Sequence, residues 1–282
     1  MNSMPLLEVR DLVKEFPTRA GESKRAVDGV SFSINRGETF GLVGESGSGK
    51  STIGRCILRL IEATSGTTVI DGVDLSTLDR REMRQFRSRM QVVFQDPYTS
   101  LNRRHSVATL IAAPLRAHGI GNAKERRARV VELLELVQLP ASFASRMPRE
   151  LSGGQSQRVA IARALALNPE FVVLDEAVSA LDMSVRAQIL NLLGSLQREL
   201  GLTYLFISHD LSVVRYICHT VAVLRNGTVV EQASRDELFE HPRHPYTQQL
   251  LAAVPVPDPA VQRSRTKRFG TDLESTGEIP EF

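Results

Sequence analysis

The sequence predicts an α/β fold with a mainly parallel, layered sheet. Short apolar runs end in glycine or a polar turn, and segments of helical periodicity lie between several of them. Strands that alternate with helices favour parallel pairing, since each crossover helix covers a face of the sheet. The predicted strands are Leu6–Val9, Thr39–Val43, Thr68–Ile70, Val92–Phe94, Phe171–Leu174, Tyr204–Ile207 and Val221–Leu224. The predicted helices are Ser51–Leu60, Glu125–Leu136, Gln155–Leu167 and Ser184–Leu200.

The amino-acid composition and net charge exclude several classes of function. The 282 residues carry a formal net charge of +3 and 42% hydrophobic residues, which is typical of a globular protein with a mixed-charge surface. That charge is too small to indicate nucleic acid or anionic lipid, so we expect no nucleic-acid partner. No apolar run approaches the roughly 18–20 residues that cross a bilayer. Residues Met1–Arg10 have no basic patch followed by an apolar block, so we expect no secretory signal. Two cysteines do not make a disulfide framework or a metal site. We therefore expect a cytoplasmic protein in which any membrane role requires partners.

Two regions depart from the alternation of strands and helices. The stretch from about residue 98 to residue 167 contains no predicted strand, so we interpret it as a helical insertion in the α/β core. The chain from about Val254 onward is rich in proline, serine and charge, and residues 259–282 are predicted to be a disordered tail. The sequence has no internal repeat, which indicates a single α/β unit.

A glycine-rich loop follows the predicted strand Thr39–Val43. It fits the pattern G-x-x-x-x-G-K-[ST], in which backbone N–H groups close around phosphate oxygens at a helix N-terminus. Lys50 is expected to reach the β- and γ-phosphates of a nucleotide, and the Ser51 hydroxyl to ligate Mg²⁺. The alternative is a glycine-rich turn without a ligand, which the strand and helix flanks disfavour. The predicted nucleotide-binding residues here are Gly44, Glu45, Ser46, Gly47, Ser48, Gly49, Lys50, Ser51 and Thr52.

Two carboxylates end the predicted strand Phe171–Leu174. Ligands of open α/β sheets gather at the carboxyl edge, where the phosphate loop also lies. Asp175 is expected to help hold Mg²⁺, usually through water. Glu176 is then placed to orient or deprotonate the attacking water. The alternative is a buried strand whose acidic end faces solvent, and the neighbouring phosphate loop makes that the minor possibility.

The string Leu151-Ser152-Gly153-Gly154-Gln155 precedes an amphipathic helix. With it, the chain resembles the ATP-binding cassette (ABC) superfamily over residues 6–254. The resemblance implies a phosphate-loop ATPase core with an inserted helical subdomain and an antiparallel β portion at the N-terminus. It also implies that a second cassette packs head to tail, so that Ser152, Gly153, Gly154 and Gln155 meet the γ-phosphate bound by the partner. ATP then holds the two halves together, and its hydrolysis releases them.

Further positions match the family. Gln95 resembles the glutamine that contacts Mg²⁺ and the attacking water, and His209 resembles the switch histidine that positions Glu176. Asp182 resembles the aspartate that crosses the dimer interface, although it also fits a helix cap before Ser184–Leu200. The resemblance thus makes Glu176, His209, Gln95 and Lys50 catalytic, and Ser51, Gln95 and Asp175 the metal contacts.

Phe16 occupies the place of the aromatic residue that stacks on adenine. A polar insertion from Thr18 to Arg25 separates it from the phosphate loop, and a core phenylalanine is the alternative.

The C-terminal string His241-Pro242-Arg243-His244-Pro245-Tyr246-Thr247-Gln248 resembles the extension of oligopeptide and dipeptide importer ATPases, here residues 234–258. That resemblance implies a peptide importer with two transmembrane permease subunits, a partner cassette that makes a heterodimer, and an extracytoplasmic solute-binding protein. Its ATPase would lie at the cytoplasmic face of the inner membrane. A non-transport ATPase acting on nucleic acid or ribosomes, and an exporter cassette, are the alternatives. The sequence does not identify the solute.

Overall fold

The computed structural model describes residues 4–17, 23–95 and 101–253. Within these residues, ten strands form two sheets: β1 Leu7–Pro17, β2 Ser23–Ile34, β3 Thr39–Val43, β4 Ser65–Ile70, β5 Val73–Asp74, β6 Met90–Val93, β7 Phe171–Asp175, β8 Thr203–Ser208, β9 Thr220–Arg225 and β10 Thr228–Ser234. The α-helices in these ranges are α1 Lys50–Ile57, α2 Arg80–Phe86, α3 Val107–Ala117, α4 Ala123–Leu136, α5 Gly153–Leu165, α6 Met183–Leu200, α7 Leu211–Ile217, α8 Arg235–Glu240 and α9 Pro245–Ala252.

The first sheet is antiparallel and has the strand order β2-β1-β4-β5. The second has the order β10-β9-β3-β8-β7-β6, in which β9, β3, β8, β7 and β6 run parallel and β10 pairs antiparallel with β9 at one edge. The α/β class and the antiparallel N-terminal portion are therefore confirmed. The carboxyl ends of the parallel strands share one edge, and the phosphate loop and the two acidic residues lie there.

Side chains alternate between two cores along each central strand. Phe171 and Val173 of β7 pack in a core that also contains α1 and the antiparallel sheet. Val172 and Leu174, which point to the opposite face, pack in a core shared with the helical region and α6. Helix α1 is thus enclosed between the two sheets, and this fixes the helix end that carries the phosphate loop.

Four charged side chains join the two sheets at the edge opposite the site. Arg36 pairs with Asp71 and, at 2.9 Å, with Glu170. Arg89 pairs with Asp71 at 2.6 Å and with Glu170 at 2.8 Å. Charges alternate around this closed ring, so every carboxylate meets two guanidinium groups. The ring links the turn before β3 to the turn after β4 and to the residues preceding β6 and β7.

The described part of the segment between β6 and β7 consists of helices, turns and loops. From residue 101 to residue 165 it holds α3, α4 and α5 and no strand. Ser106, Asn122 and Ser152 each cap one of these helices with a side-chain oxygen. None of the helices in the described ranges is both long enough and apolar enough to cross a membrane.

Two long strands were not predicted from the sequence. β2 begins with a run of charged and polar residues and contains Gly29, which obscures its alternation. β10 is an edge strand without a fully buried residue, so its apolar signal is weak. Helix α3 lies in the stretch predicted to be a helical insertion, but its bounds were not predicted, since Pro114 lies inside it. The predicted disordered tail and the end of the predicted extension, beyond residue 253, lie outside the described residues.

Candidate nucleotide-binding and catalytic site

The phosphate loop connects β3 to α1, as the motif requires. Gly44 has φ 150°, and a Cβ there would lie 2.2 Å from the carbonyl oxygen of Leu224. Gly49 has φ 106°, and a Cβ there would lie 2.2 Å from the carbonyl oxygen of Ala26. Both positions therefore exclude any side chain, because L-residues avoid this backbone region and the neighbouring atoms are backbone. The loop is pressed against β2 and the end of β9.

Lys50 lies at the centre of the loop and is only 5% exposed. Its Nζ donates to the carbonyl oxygens of Gly44 at 2.8 Å and Glu45 at 2.6 Å. Burial lowers the pKa of Lys50, while the carboxylates of Glu176 and Asp175 oppose that shift. The ammonium group is thus held inside the loop by carbonyl oxygens, which phosphate oxygens of a nucleotide can replace.

Ser51 and Asp175 meet across the gap between α1 and β7. The Ser51 hydroxyl donates to Asp175 Oδ1 at 2.7 Å, and Asp175 is 8% exposed. Burial raises the pKa of Asp175, against the opposing hydrogen bond from Ser51. Both groups offer oxygen, the donor type that Mg²⁺ prefers. Among the described residues no cluster of three His, Cys, Asp or Glu forms a metal site. A single carboxylate and a hydroxyl fit a cation that completes its shell with phosphate oxygens and water.

Glu176 and His209 face each other at the same sheet edge. The imidazole Nδ1 of His209 lies 3.2 Å from Glu176 Oε1. The Glu176 backbone has φ 52°, and its N–H donates to the carbonyl oxygen of Ile207 at 3.0 Å. A non-glycine residue in this left-handed region costs free energy, and such residues cluster at functional sites. The strained backbone turns the carboxylate out of the line of β7 toward His209.

Arg186 is a residue that the sequence analysis did not identify. Its Nη1 donates to Asp210 Oδ2 at 2.6 Å, and its Nη2 donates to the Leu181 carbonyl at 3.3 Å. It therefore joins the loop before α6 to the residue that follows His209. Its position in the sequence, four residues after Asp182, does not predict this contact with Asp210. Only folding brings the loop before α6 close to the residue that follows His209.

Gln95 lies two residues beyond β6 and is exposed. β6 pairs with β7 so that Val93 is opposite Leu174. This register places Gln95 at the same edge as Glu176, which agrees with its predicted location. Its role toward Mg²⁺ and water stays a prediction.

The Ser152–Gln155 segment forms the N-terminus of α5. Ser152 Oγ accepts from the Gln155 N–H at 3.3 Å, and Gln155 Oε1 accepts from the Ser152 N–H at 3.0 Å, which makes a capping box. A Cβ on Gly154 would lie 2.4 Å from Val185 Cγ1, so this glycine allows α5 to pack against α6. In the described residues, no hydrogen bond joins this segment to the phosphate loop.

Asp182 caps α6, which is one of the two interpretations of this residue given by the sequence. Its carboxylate accepts from the Val185 N–H at 3.0 Å and from the Ser184 hydroxyl at 2.8 Å. The role of Asp182 across a dimer interface remains a prediction.

Phe16 is not part of the core. It is 40% exposed on β1, and Lys14 Nζ lies 5.0 Å from its ring centroid. The alternative of a core phenylalanine was therefore wrong, and adenine stacking stays a prediction.

Comparison with known proteins decides the family. Residues 27–179, more than half of the chain, match the family described as ABC transporter. The chain belongs to the ABC transporter family. It is an ATP-binding, ATP-hydrolysing cassette. Residues 230–281 also match the family described as oligopeptide/dipeptide transporter, C-terminal region.

Relatives of this cassette ATPase are named for import. A protein of Brucella ovis named as a peptide import ATP-binding protein is 53% identical over 280 residues, which are 99% of this chain and 88% of that protein. The glutathione import ATP-binding protein GsiA of Salmonella typhimurium is 51% identical, and the match covers 96% of this chain and 44% of that protein.

Solved ABC cassettes share its fold. A dimeric structure of the cassette MJ0796 in a post-hydrolysis state with ADP and Pi has a TM-score of 0.73 and 33% identity, covering 81% of this chain and 98% of that one. The structure of cbiO1 from Clostridium perfringens, part of the transporter complex cbiONQ, has a TM-score of 0.76 and 27% identity, covering 93% and 99%.

Proposed function

We propose that this cassette is the energy-coupling subunit of an importer for peptide-type solutes. The observation that carries the solute class is the match of residues 230–281 to the C-terminal region of oligopeptide and dipeptide transporters. The names of the Brucella and Salmonella relatives support the same class. The cassette does not contact the solute in this scheme, so its own chemistry is the hydrolysis of ATP.

The phosphate loop binds the nucleotide in this proposal. Its backbone N–H groups and the N-terminus of α1 hold the phosphate oxygens, and Lys50 exchanges its carbonyl partners for them. Phe16 stacks on the adenine from its exposed position on β1. Ser51 and Asp175 would hold Mg²⁺, which would neutralise charge on the phosphates.

Glu176 is the group that acts on the attacking water. Its carboxylate accepts a hydrogen bond from that water and orients or deprotonates it, while His209 keeps the carboxylate in position. Gln95, at the neighbouring strand end, contacts the same water and the metal in this scheme. These roles rest on the 3.2 Å approach of His209 to Glu176 and on the shared sheet edge.

A second cassette completes each site. The Ser152–Gln155 segment and Asp182 of one subunit are proposed to meet ATP bound in the phosphate loop of the other. The capped start of α5 offers free backbone N–H groups there, which suit the γ-phosphate. The dimeric MJ0796 structures support the pairing of such cassettes. We propose a heterodimer, as the subfamily resemblance implies.

Two permease subunits and an extracytoplasmic solute-binding protein complete the proposed importer. The cassette would lie peripherally on the cytoplasmic face of the inner membrane. Its C-terminal match to peptide transporters supports this placement.

Purification of the tagged chain from detergent-solubilised membranes of the native cell tests the proposal. Mass spectrometry should identify two multi-span permeases and a second cassette in the purified complex. Recovery of the chain only in the soluble fraction, with ribosomes or nucleic acid attached, would contradict the importer function and leave the ATPase chemistry intact.

A further inference from the structure

The C-terminal segment reaches the phosphate loop through Tyr246. This residue lies in the first turn of α9, is 5% exposed, and places its phenol oxygen 3.4 Å from the backbone nitrogen of Glu45. The guanidinium carbon of Arg225 lies 4.8 Å from the centroid of the phenol ring. Tyr246 is thus enclosed between the end of β9 and the loop that binds phosphate, and the Glu45 N–H donates to it through a long hydrogen bond.

The residues around Tyr246 are firmly anchored. Glu231 of β10 accepts from the backbone N–H of Arg243 at 2.8 Å and of His244 at 3.0 Å. His244 Nδ1 accepts from the Tyr246 N–H at 3.1 Å and caps α9. The phenol therefore stands on a segment whose backbone is held by the neighbouring strand, which allows it to hold the loop in turn.

One peptide group links Tyr246 to Lys50. The N–H of the Gly44–Glu45 peptide donates to Tyr246, and the carbonyl oxygen of the same peptide accepts from Lys50 Nζ at 2.8 Å. Because a peptide group is planar, a contact that fixes its N–H also fixes the direction of its carbonyl. The hydroxyl of Tyr246 therefore controls the carbonyl that Lys50 must exchange for phosphate.

Further contacts brace the loop from the same side. The turn after β9 donates from the Gly227 N–H to the Ser48 carbonyl at 3.0 Å. The Leu224 carbonyl fills the space beside Gly44. Tyr246 and the hairpin of β9 and β10 thus contact the phosphate loop from the same side and hold its backbone in place. Burial raises the pKa of Tyr246, against the opposing hydrogen bond from the Glu45 N–H, so the phenol remains protonated at neutral pH.

We propose that Tyr246 is a positioning residue for nucleotide binding, through which the C-terminal segment His241–Gln248 sets the conformation of the phosphate loop and so its affinity for ATP. This inference deepens the proposed function, since it gives a segment typical of peptide importer ATPases a task at the ATP site. It does not depend on which solute is transported.

Tyr246→Phe tests the role of the hydroxyl. The ring, its burial and the contact with Arg225 remain, while the contact with the Gly44–Glu45 peptide is lost. We expect the KM for ATP of the full-length chain and its Kd for ATP to rise about threefold or more, with kcat changed less than about twofold. The melting temperature without nucleotide should stay at the wild-type value. Tyr216→Phe is the matched control, because Tyr216 is 60% exposed and its hydroxyl donates to Asn191 at the surface.

A second variant removes the segment's anchor instead of the phenol. Glu231→Gln weakens the carboxylate that holds Arg243 and His244, and should raise the KM for ATP in the same direction as Tyr246→Phe. Wild-type KM and Kd in Tyr246→Phe, or a rise equal to that of Tyr216→Phe, would overturn the inference. A failure of the importer proposal would appear in the membrane purification and would not alter this comparison of ATP binding.

Discussion

The Ser51 hydroxyl donates a 2.7 Å hydrogen bond to Asp175 Oδ1, and this contact joins the first turn of α1 to the end of β7. It brings a hydroxyl from the phosphate loop and a carboxylate from the sheet edge to one point. The two residues are 124 positions apart in the sequence, so only the fold makes them neighbours. The pair carries the proposed magnesium site.

Asp175→Asn should raise the stability of the nucleotide-free protein and slow the hydrolysis of ATP. Burial raises the pKa of Asp175, which means that its ionised form costs stability in the nucleotide-free protein at neutral pH. The amide keeps an oxygen for Ser51 but loses the charge, so we expect a melting temperature about 1–3 °C higher without nucleotide. Mg²⁺-dependent hydrolysis should fall about 10²-fold. Differential scanning calorimetry and a phosphate-release assay measure the two effects. A lower melting temperature with normal hydrolysis would contradict the assignment.

His209→Ala should lower turnover with little effect on stability. The His209 side chain is 55% exposed and its hydrogen bond goes to Glu176, so its loss leaves the core intact but frees the carboxylate. We expect kcat to fall about 10²-fold. His105→Ala, at an exposed position before α3, is the control and should keep wild-type turnover. Equal activity in the two variants would show that His209 does not position Glu176.

Gly154→Ala should disturb the contact between α5 and α6. The added Cβ would lie 2.4 Å from Val185 Cγ1, and such overpacking typically costs about 1–3 kcal/mol. Gly153→Ala is the matched control, because a Cβ there lies an ordinary 3.5 Å from Leu181. Chemical denaturation should show a lower free energy of unfolding for Gly154→Ala and a wild-type value for Gly153→Ala. Val185→Ala in the same chain should restore most of the loss, and failure to do so would mean that this contact is not the cause.

Glu170→Gln should destabilise the protein in a pH-dependent way. The hydrogen bond from Arg89, followed by that from Arg36, lowers the pKa of Glu170 below its usual value. A lowered folded-state pKa gives stability above the unfolded-state pKa of roughly 4.3, and this stability is lost as the pH falls through the folded-state value. Because the Glu170 side chain is 39% exposed, we expect Glu170→Gln to lower the free energy of unfolding by only about 0.5–1 kcal/mol at pH 7.

Unfolding of wild type and Glu170→Gln between pH 3 and pH 7 checks this, with Glu199→Gln as a control at an exposed position. The difference in the free energy of unfolding between wild type and Glu170→Gln should disappear as the pH falls. A constant difference would contradict the role of the charge ring.

The site residues could be predicted where a local pattern marks them. Lys50, Ser51, Asp175 and Glu176 belong to short strings on strands and helices whose types the apolar pattern also predicts. The order of the parallel strands then places them together, which is why their proximity could be expected before the fold was known.

Other features depend on contacts between distant segments. The strained backbone of Glu176, the link from Arg186 to Asp210, and the contact of Tyr246 with Glu45 have no local signature. β2 and β10 were missed because charged, small or half-exposed residues interrupt their alternation. Each of these features is set by tertiary packing, which overrides the local preference of the residues involved.

Turnover of Glu176→Gln is the most direct test of the ATPase mechanism. The variant keeps the side-chain shape and an oxygen for His209 but removes the carboxylate that acts on water. We predict that it binds ATP with wild-type affinity, measured with a fluorescent nucleotide, and hydrolyses it at least about 10²-fold more slowly. Near-normal hydrolysis by Glu176→Gln would contradict the assignment of Glu176 as the catalytic carboxylate.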